Sequence, residues 1–139
     1  MESKSKENKT SSIKEEKIEY TGEISADILE DIKKVSKGKS GLVVIKGPGI
    51  GDKFFINKPE FTIGRNTESD IFLDDITVSR RHAIIIKSGN NFRLKDLGSL
   101  NGSYVNSELV EDVILEDMDK IQIGKYIFLF FHSSQSNNG

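Results

Sequence analysis

The sequence predicts an all-β fold, an antiparallel sandwich of two sheets preceded by a solvated arm. Three observations carry this. Apolar runs of three to six residues recur along residues 41–139, separated by glycine- and asparagine-containing turns. No convincing helix lies between them, which disfavours a parallel α/β fold. The composition also changes sharply near residue 40. Residues 1–40 hold nine Lys, nine Asp or Glu and no Arg, Phe or Pro, whereas all eight Phe and all four Arg fall in residues 41–139.

The arm, residues 1–40, has too little apolar surface to offset its chain entropy and reads as largely disordered and flexible. One stretch is better ordered in pattern. Ile24, Ile28, Ile32 and Val35 recur at helical spacing, Ser25 can cap, Asp27, Glu30 and Asp31 sit early, and Lys33 and Lys34 sit late. This predicts a short helix over 25–36, read as a fraying element or one that docks on a partner. The domain occupies 41–132, and 133–139 is a polar, disordered tail.

The strands follow in order. Leu42-Val43-Val44-Ile45 is the first, and Gly47-Pro48-Gly49-Ile50-Gly51 turns the chain into Lys53-Phe54-Phe55-Ile56. Phe61-Thr62-Ile63, Asp70-Ile71-Phe72-Leu73 and His82 to Lys87 come next. Phe92 to Lys95, Ser103-Tyr104-Val105, Asp119 to Ile123 and Tyr126 to Phe131 complete the set. The acidic run from Glu108 to Asp119 reads as a solvated loop face, because its spacing is not that of a calcium loop.

Composition excludes several functions. The charge is nearly balanced, 20 Lys and Arg against 22 Asp and Glu, where a protein held to nucleic acid by phosphates would carry a basic excess. No apolar run approaches the ~20 residues that span a bilayer, and the N-terminus leads into no signal core. No membrane association and a cytoplasmic location are therefore expected. With no Cys and two His, His82 and His132, neither a thiol enzyme nor a cysteine zinc site is available, and no metal or cofactor is expected.

Function in a sandwich should sit on the loops at one end. Gly64-Arg65 follows one strand, Ser79-Arg80-Arg81-His82 opens another, and Gly98-Ser99-Leu100-Asn101-Gly102 lies in a third loop. Guanidinium groups, a hydroxyl and an amide make a donor set suited to a phosphate dianion on a peptide. Each piece has a plainer reading. An arginine alone is most often a surface cation, and Asn101-Gly102 alone is most often a turn. Ser79 and His82 lack a nucleophile elbow and a third partner, so a hydrolase is not expected.

Taken together, Gly64-Arg65, Ser79-x-x-His82 and Asn101-Gly102 resemble the forkhead-associated (FHA) domain. The resemblance implies a sandwich of about eleven strands that binds phosphothreonine peptides without catalysis. It implies that Arg65, Ser79 and Arg80 contact the phosphate, that Asn101 holds the peptide main chain, and that Gly64, His82 and Gly102 are structural. Leu100 stands where many such domains have a hydroxyl residue, so Ser99 becomes the candidate for that contact. Residues 69–83, 96–106 and 121–125 further resemble the small actinobacterial glycogen accumulation regulator and oxoglutarate dehydrogenase inhibitor proteins.

That resemblance implies a regulator switched by a Ser/Thr protein kinase. Unphosphorylated, it would bind and inhibit 2-oxoglutarate dehydrogenase, and some relatives act on glutamate-metabolising enzymes. Phosphorylated, the arm would occupy the chain's own pocket. Thr21 is the expected site, with Thr10 the alternative. Both have Ile three residues on, a position FHA domains often read, but Thr21 follows Glu15, Glu16 and Glu19 whereas Thr10 follows Lys9. Tyr20 replaces one of the family's two threonines. A coil of about 20 residues would give the arm a reach of about 25 Å. The alternative is an adaptor that recruits phosphorylated partners, with the arm a passive linker.

Overall fold

The computed structural model describes residues 24–35 and 37–133. One helix, α1 (Ala26–Val35), precedes eleven strands: β1 (Ser40–Lys46), β2 (Lys53–Phe55), β3 (Glu60–Gly64), β4 (Ile71–Phe72), β5 (Ala83–Ser88), β6 (Asn91–Asp96), β7 (Ser103–Val105), β8 (Glu108–Val110), β9 (Asp112–Ile114), β10 (Lys120–Ile123) and β11 (Tyr126–His132). They form a six-stranded sheet, β2-β1-β11-β10-β7-β8, and a five-stranded sheet, β4-β3-β5-β6-β9. The expected two-sheet sandwich is present.

The core lies between the sheets. Leu42, Val44, Phe128 and Phe130 enter it from one side, Ile63, Ile85, Phe92 and Leu94 from the other. Alternation along β1 and β11 sends Val43, Ile45, Ile127, Leu129 and Phe131 to the opposite face. Those two strands are therefore apolar on both faces and need a second cover. Helix α1 is that cover. Ile32 is buried on this outer face, and Ile24, Ile28 and Phe55 pack around it. The Ser25 hydroxyl accepts the Ile28 N–H at 3.2 Å, capping the helix as expected. An ion pair between Asp31 and Lys53 fastens it to β2.

The helix expected over 25–36 thus docks on the chain's own sheet, neither fraying in solvent nor waiting for a partner. This changes the tether. Only residues 22–24 lie between Thr21 and the helix cap, a span of about 14 Å at full extension, not a free coil of about 20 residues. Thr21 and Thr10 themselves lie outside the described residues.

Two further expectations are corrected. The acidic run is not all loop. Glu108–Val110 pairs with β7 and Asp112–Ile114 with β6, so the chain changes sheet at Glu111. Both are short edge strands whose charges suit solvent, so they lack strand patterning. The sheets are also not wholly antiparallel, because β3 and β4 run parallel, Ile63 opposite Ile71. The short return is held by Asp70, whose carboxylate accepts the Thr62 N–H at 2.8 Å while its own N–H donates to Thr62 Oγ1 at 2.9 Å.

Candidate functional site

The loops after β3, before β5 and after β6 meet at one end of the sandwich. Backbone bonds tie the first two together. Arg65 N–H donates to Ser79 O at 3.0 Å, Asn66 N–H to Arg80 O at 3.1 Å, and His82 N–H to Ile63 O at 3.1 Å. This approach needs glycine at 64. A Cβ there would lie 2.1 Å from the Arg80 carbonyl oxygen.

His82 joins these loops to the third. Its ring is fully buried. Nδ1 accepts the Ser79 N–H at 3.0 Å, so Nε2 carries the hydrogen and donates to the Gly102 carbonyl at 2.9 Å. Ser79 reaches the same loop, its Oγ accepting the Leu100 N–H at 2.9 Å. That bond uses an oxygen lone pair and leaves the hydroxyl hydrogen to donate outward. Asn101 Nδ2 donates to Thr77 O at 3.0 Å, which leaves its Oδ1 and a second amide hydrogen for a ligand backbone.

Ser99 departs from expectation. Its hydroxyl donates to Asp96 Oδ1 at 2.6 Å and accepts the Gly102 N–H at 2.9 Å. It holds its own loop closed and is not presented to a ligand. Asp96 also accepts from the Ser103 hydroxyl at 2.7 Å and the Gly98 N–H at 3.0 Å. Burial would raise the Asp96 pKa, but the bonds from Ser103, Ser99 and Gly98 outweigh it and hold it below the usual value.

Arg65, Arg80 and Arg81 are all exposed, and none has an ion pair among the described residues. Arg65 Nε donates to Val78 O at 2.9 Å, which leaves the two terminal amino groups of its guanidinium as donors. Hydrogen bonds thus hold together the three loops that carry Arg65, Ser79, Arg80 and Asn101, with the buried His82 ring joining them.

Sequence reasoning missed the bracing around Thr77. Asp75 accepts the Thr77 N–H at 2.9 Å and its hydroxyl, and Lys125 Nζ lies 2.9 Å from Asp75. Lys125 N–H in turn donates to Thr77 Oγ1 at 3.0 Å, joining the β10–β11 turn to the site. The Asp75-Ile76-Thr77 spacing is an Asx-turn signal that could have found it. The Thr77 hydroxyl, Lys125 and the Thr77 N–H lower the Asp75 pKa to about 2 from 3.8. A lowered carboxylate stabilises the fold above its unfolded pKa and ceases to as pH falls through its folded one. Asp75 should therefore contribute fully above about pH 4 and lose its contribution by about pH 2. Urea midpoints of wild type and Asp75→Asn should differ most at pH 5 and above and converge toward pH 2. A pH-independent difference would rule out this role.

No helix among the described residues is long and apolar enough to cross a membrane. Comparison with known proteins places this geometry. The FHA domain family model matches residues 61–124. The chain is 46% identical over 101 residues to the glycogen accumulation regulator GarA of Mycolicibacterium smegmatis, covering 73% of this chain and 64% of that one. It is 38% identical over 136 residues to an oxoglutarate dehydrogenase inhibitor of Corynebacterium jeikeium, covering 88% and 94%. Among solved structures, one described in terms of phosphothreonine-dependent FHA domain interactions superposes with a TM-score of 0.62 at 31% identity, covering 67% of this chain and 95% of that one. Mycobacterium tuberculosis EmbR in complex with a low-affinity phosphopeptide gives 0.66 at 29%, covering 81% and 31%.

Proposed function

This chain belongs to the FHA domain family, among the glycogen accumulation regulator and oxoglutarate dehydrogenase inhibitor proteins, and from that premise we propose that it is a phosphothreonine-binding regulator of 2-oxoglutarate metabolism. Arg65 and Arg80 supply forked charge-assisted bonds to the phosphate, Ser79 donates its outward hydroxyl, and Asn101 holds the peptide backbone. The observation that carries this is the junction at Ser79. Its Oγ accepts the Leu100 N–H, so its hydrogen remains free to donate, on a loop bonded to those that carry Arg65 and Asn101.

Unphosphorylated, the protein binds and inhibits 2-oxoglutarate dehydrogenase in the cytoplasm, and glutamate-metabolising enzymes are further candidate targets. The names of the Corynebacterium relatives and the 94% coverage of one of them support that reading. A Ser/Thr protein kinase modifies Thr21, and the phosphorylated arm then fills the pocket and excludes partners. Thr10 is the other site in the arm with the same local form. The protein acts as a binding module, not as an enzyme.

Titration with a phosphothreonine peptide tests the pocket. Arg65→Ala should weaken binding by about 1.5–3 kcal/mol, roughly ten- to 150-fold, since a dianion loses a charged donor. Unchanged affinity with an intact fold would reject the assignment. For the switch, kinase-treated wild type should lose inhibition of 2-oxoglutarate dehydrogenase while Thr21→Ala retains it. If Thr21→Ala is still switched off and Thr10→Ala is not, the site is Thr10. If neither threonine matters, the protein is an adaptor and the arm a linker.

A further inference from the structure

The second arginine of Ser79-Arg80-Arg81-His82 has no task in the pocket. Arg80 and Arg81 are adjacent in the bend before β5, but only Arg81 contributes to the neighbouring cleft. Arg81 lines a cleft of about 160 Å³ on the flank of the phosphate site, together with Thr62, Asn66, Glu68, Ser69 and Leu97. Its guanidinium makes no hydrogen bond or ion pair among the described residues. The side-chain carbonyl oxygen of Asn66 is already used by the Glu68 N–H at 3.0 Å, so its amide hydrogens remain as donors. Arg81, Asn66 and Ser69, three residues with donor groups, therefore line one recess. Glu68, on the rim, is the opposing charge.

The other flank is apolar. Ile76 is 90% exposed and Leu100 89% exposed, on the two loops that the Asn101–Thr77 bond joins. The site loops thus carry two unlike features, a cleft whose one cation is Arg81 and an exposed aliphatic pair, Ile76 and Leu100. A ligand with carboxylates before its phosphothreonine and an aliphatic residue after it matches both.

We propose that the Arg81 cleft is a second anion subsite, which binds a carboxylate side chain two residues before the phosphothreonine. The inference rests on the pocket reading above and deepens it by naming the ligand class. The chain's own arm has this form at Thr21, with Glu19 before and Ile24 after, and lacks it at Thr10, which Lys9 precedes. The cleft thereby selects between two threonines of otherwise equal local pattern. Because Arg81 is exposed and Glu68 competes, the subsite contributes modestly and in a salt-sensitive way.

The test is calorimetric titration of the unphosphorylated full chain with two synthetic peptides. The first spans residues 15–25 and is phosphorylated at Thr21; the second is the same peptide carrying Glu19→Gln. Arg81→Gln in the protein should weaken the first peptide about three- to fivefold and leave the substituted peptide nearly unchanged. Glu68→Gln should tighten the first peptide alone. Both effects should fade as salt is raised. If the ratio between the two peptides is the same in wild type and Arg81→Gln, Glu19 does not sit at Arg81 and the inference is overturned. If Arg81→Gln weakens both peptides equally, Arg81 belongs to the phosphate and the inference is likewise overturned. If neither peptide binds wild type at all, the pocket reading itself has failed.

Discussion

Replacing His82 with Ala is expected to cost about 3–4 kcal/mol of stability and most of the phosphopeptide affinity in the same step. The ring is fully buried and bonded at both nitrogens, to the Ser79 N–H at 3.0 Å and the Gly102 carbonyl at 2.9 Å. Alanine leaves a part-buried donor and a part-buried acceptor without partners, at about 1–3 kcal/mol each, and opens a cavity besides. For a domain of this size that is a fall in Tm of roughly 10–15 °C. The loops carrying Ser79 and Asn101 are then no longer held against each other, so binding falls with the fold. Thermal unfolding followed by circular dichroism, alongside peptide titration, checks both halves. A His82→Ala protein of unchanged Tm that cannot bind would instead make His82 a ligand contact.

Gly64→Ala should be comparably severe, for a different reason. The added methyl group would stand 2.1 Å from the Arg80 carbonyl oxygen, 2.9 Å from the Arg80 carbonyl carbon and 3.2 Å from the His82 nitrogen. These are backbone atoms, so relief requires the two segments to part. Parting them breaks the Arg65–Ser79, Asn66–Arg80 and His82–Ile63 bonds. A loss of about 3 kcal/mol or more is expected from strain and broken bonds together. Arg65 would also move away from Ser79 and Arg80. Gly89→Ala is the comparison. Its added methyl group meets nothing within 4 Å, and it carries only the strain of φ +62°, about 1 kcal/mol. Equal stability of Gly64→Ala and Gly89→Ala would refute the close-packing argument.

Much of the site was legible because its residue types are scarce and chemically specific. Gly64-Arg65, Ser79-x-x-His82 and Asn101-Gly102 stand out in a domain with four arginines, and the structure brings all three segments together. Ser99 was misread because a hydroxyl beside Asn101 looks the same whether it faces a ligand or its own loop. Only the positions of Asp96 and the Gly102 N–H reveal which. Thr77 and Asp75 escaped notice because their work is done by a backbone carbonyl and a carboxylate inside one turn, with Lys125 arriving from 48 residues away.

Residue order alone dictates the sandwich and singles out the three loop segments that the structure joins at one end. Alternating and continuous apolar runs can be buried only in strands, and turn glycines fix where those strands stop. It also held an unread clue to the helix. Leu42-Val43-Val44-Ile45 and Ile127 to Phe131 are apolar at every position, which a sheet with one solvated face does not need. What covers that second face is settled by tertiary packing. Ile24, Ile28 and Ile32 had the pattern of any amphipathic helix, and helical spacing names a buried face without naming its partner. The sheet assignment of Asp112–Ile114 is likewise settled at a distance, against β6, whereas Glu108–Val110 folds straight back on β7. Three-residue edge strands draw their order from the ladder of a neighbour, and for Asp112–Ile114 that neighbour is not adjacent in the chain.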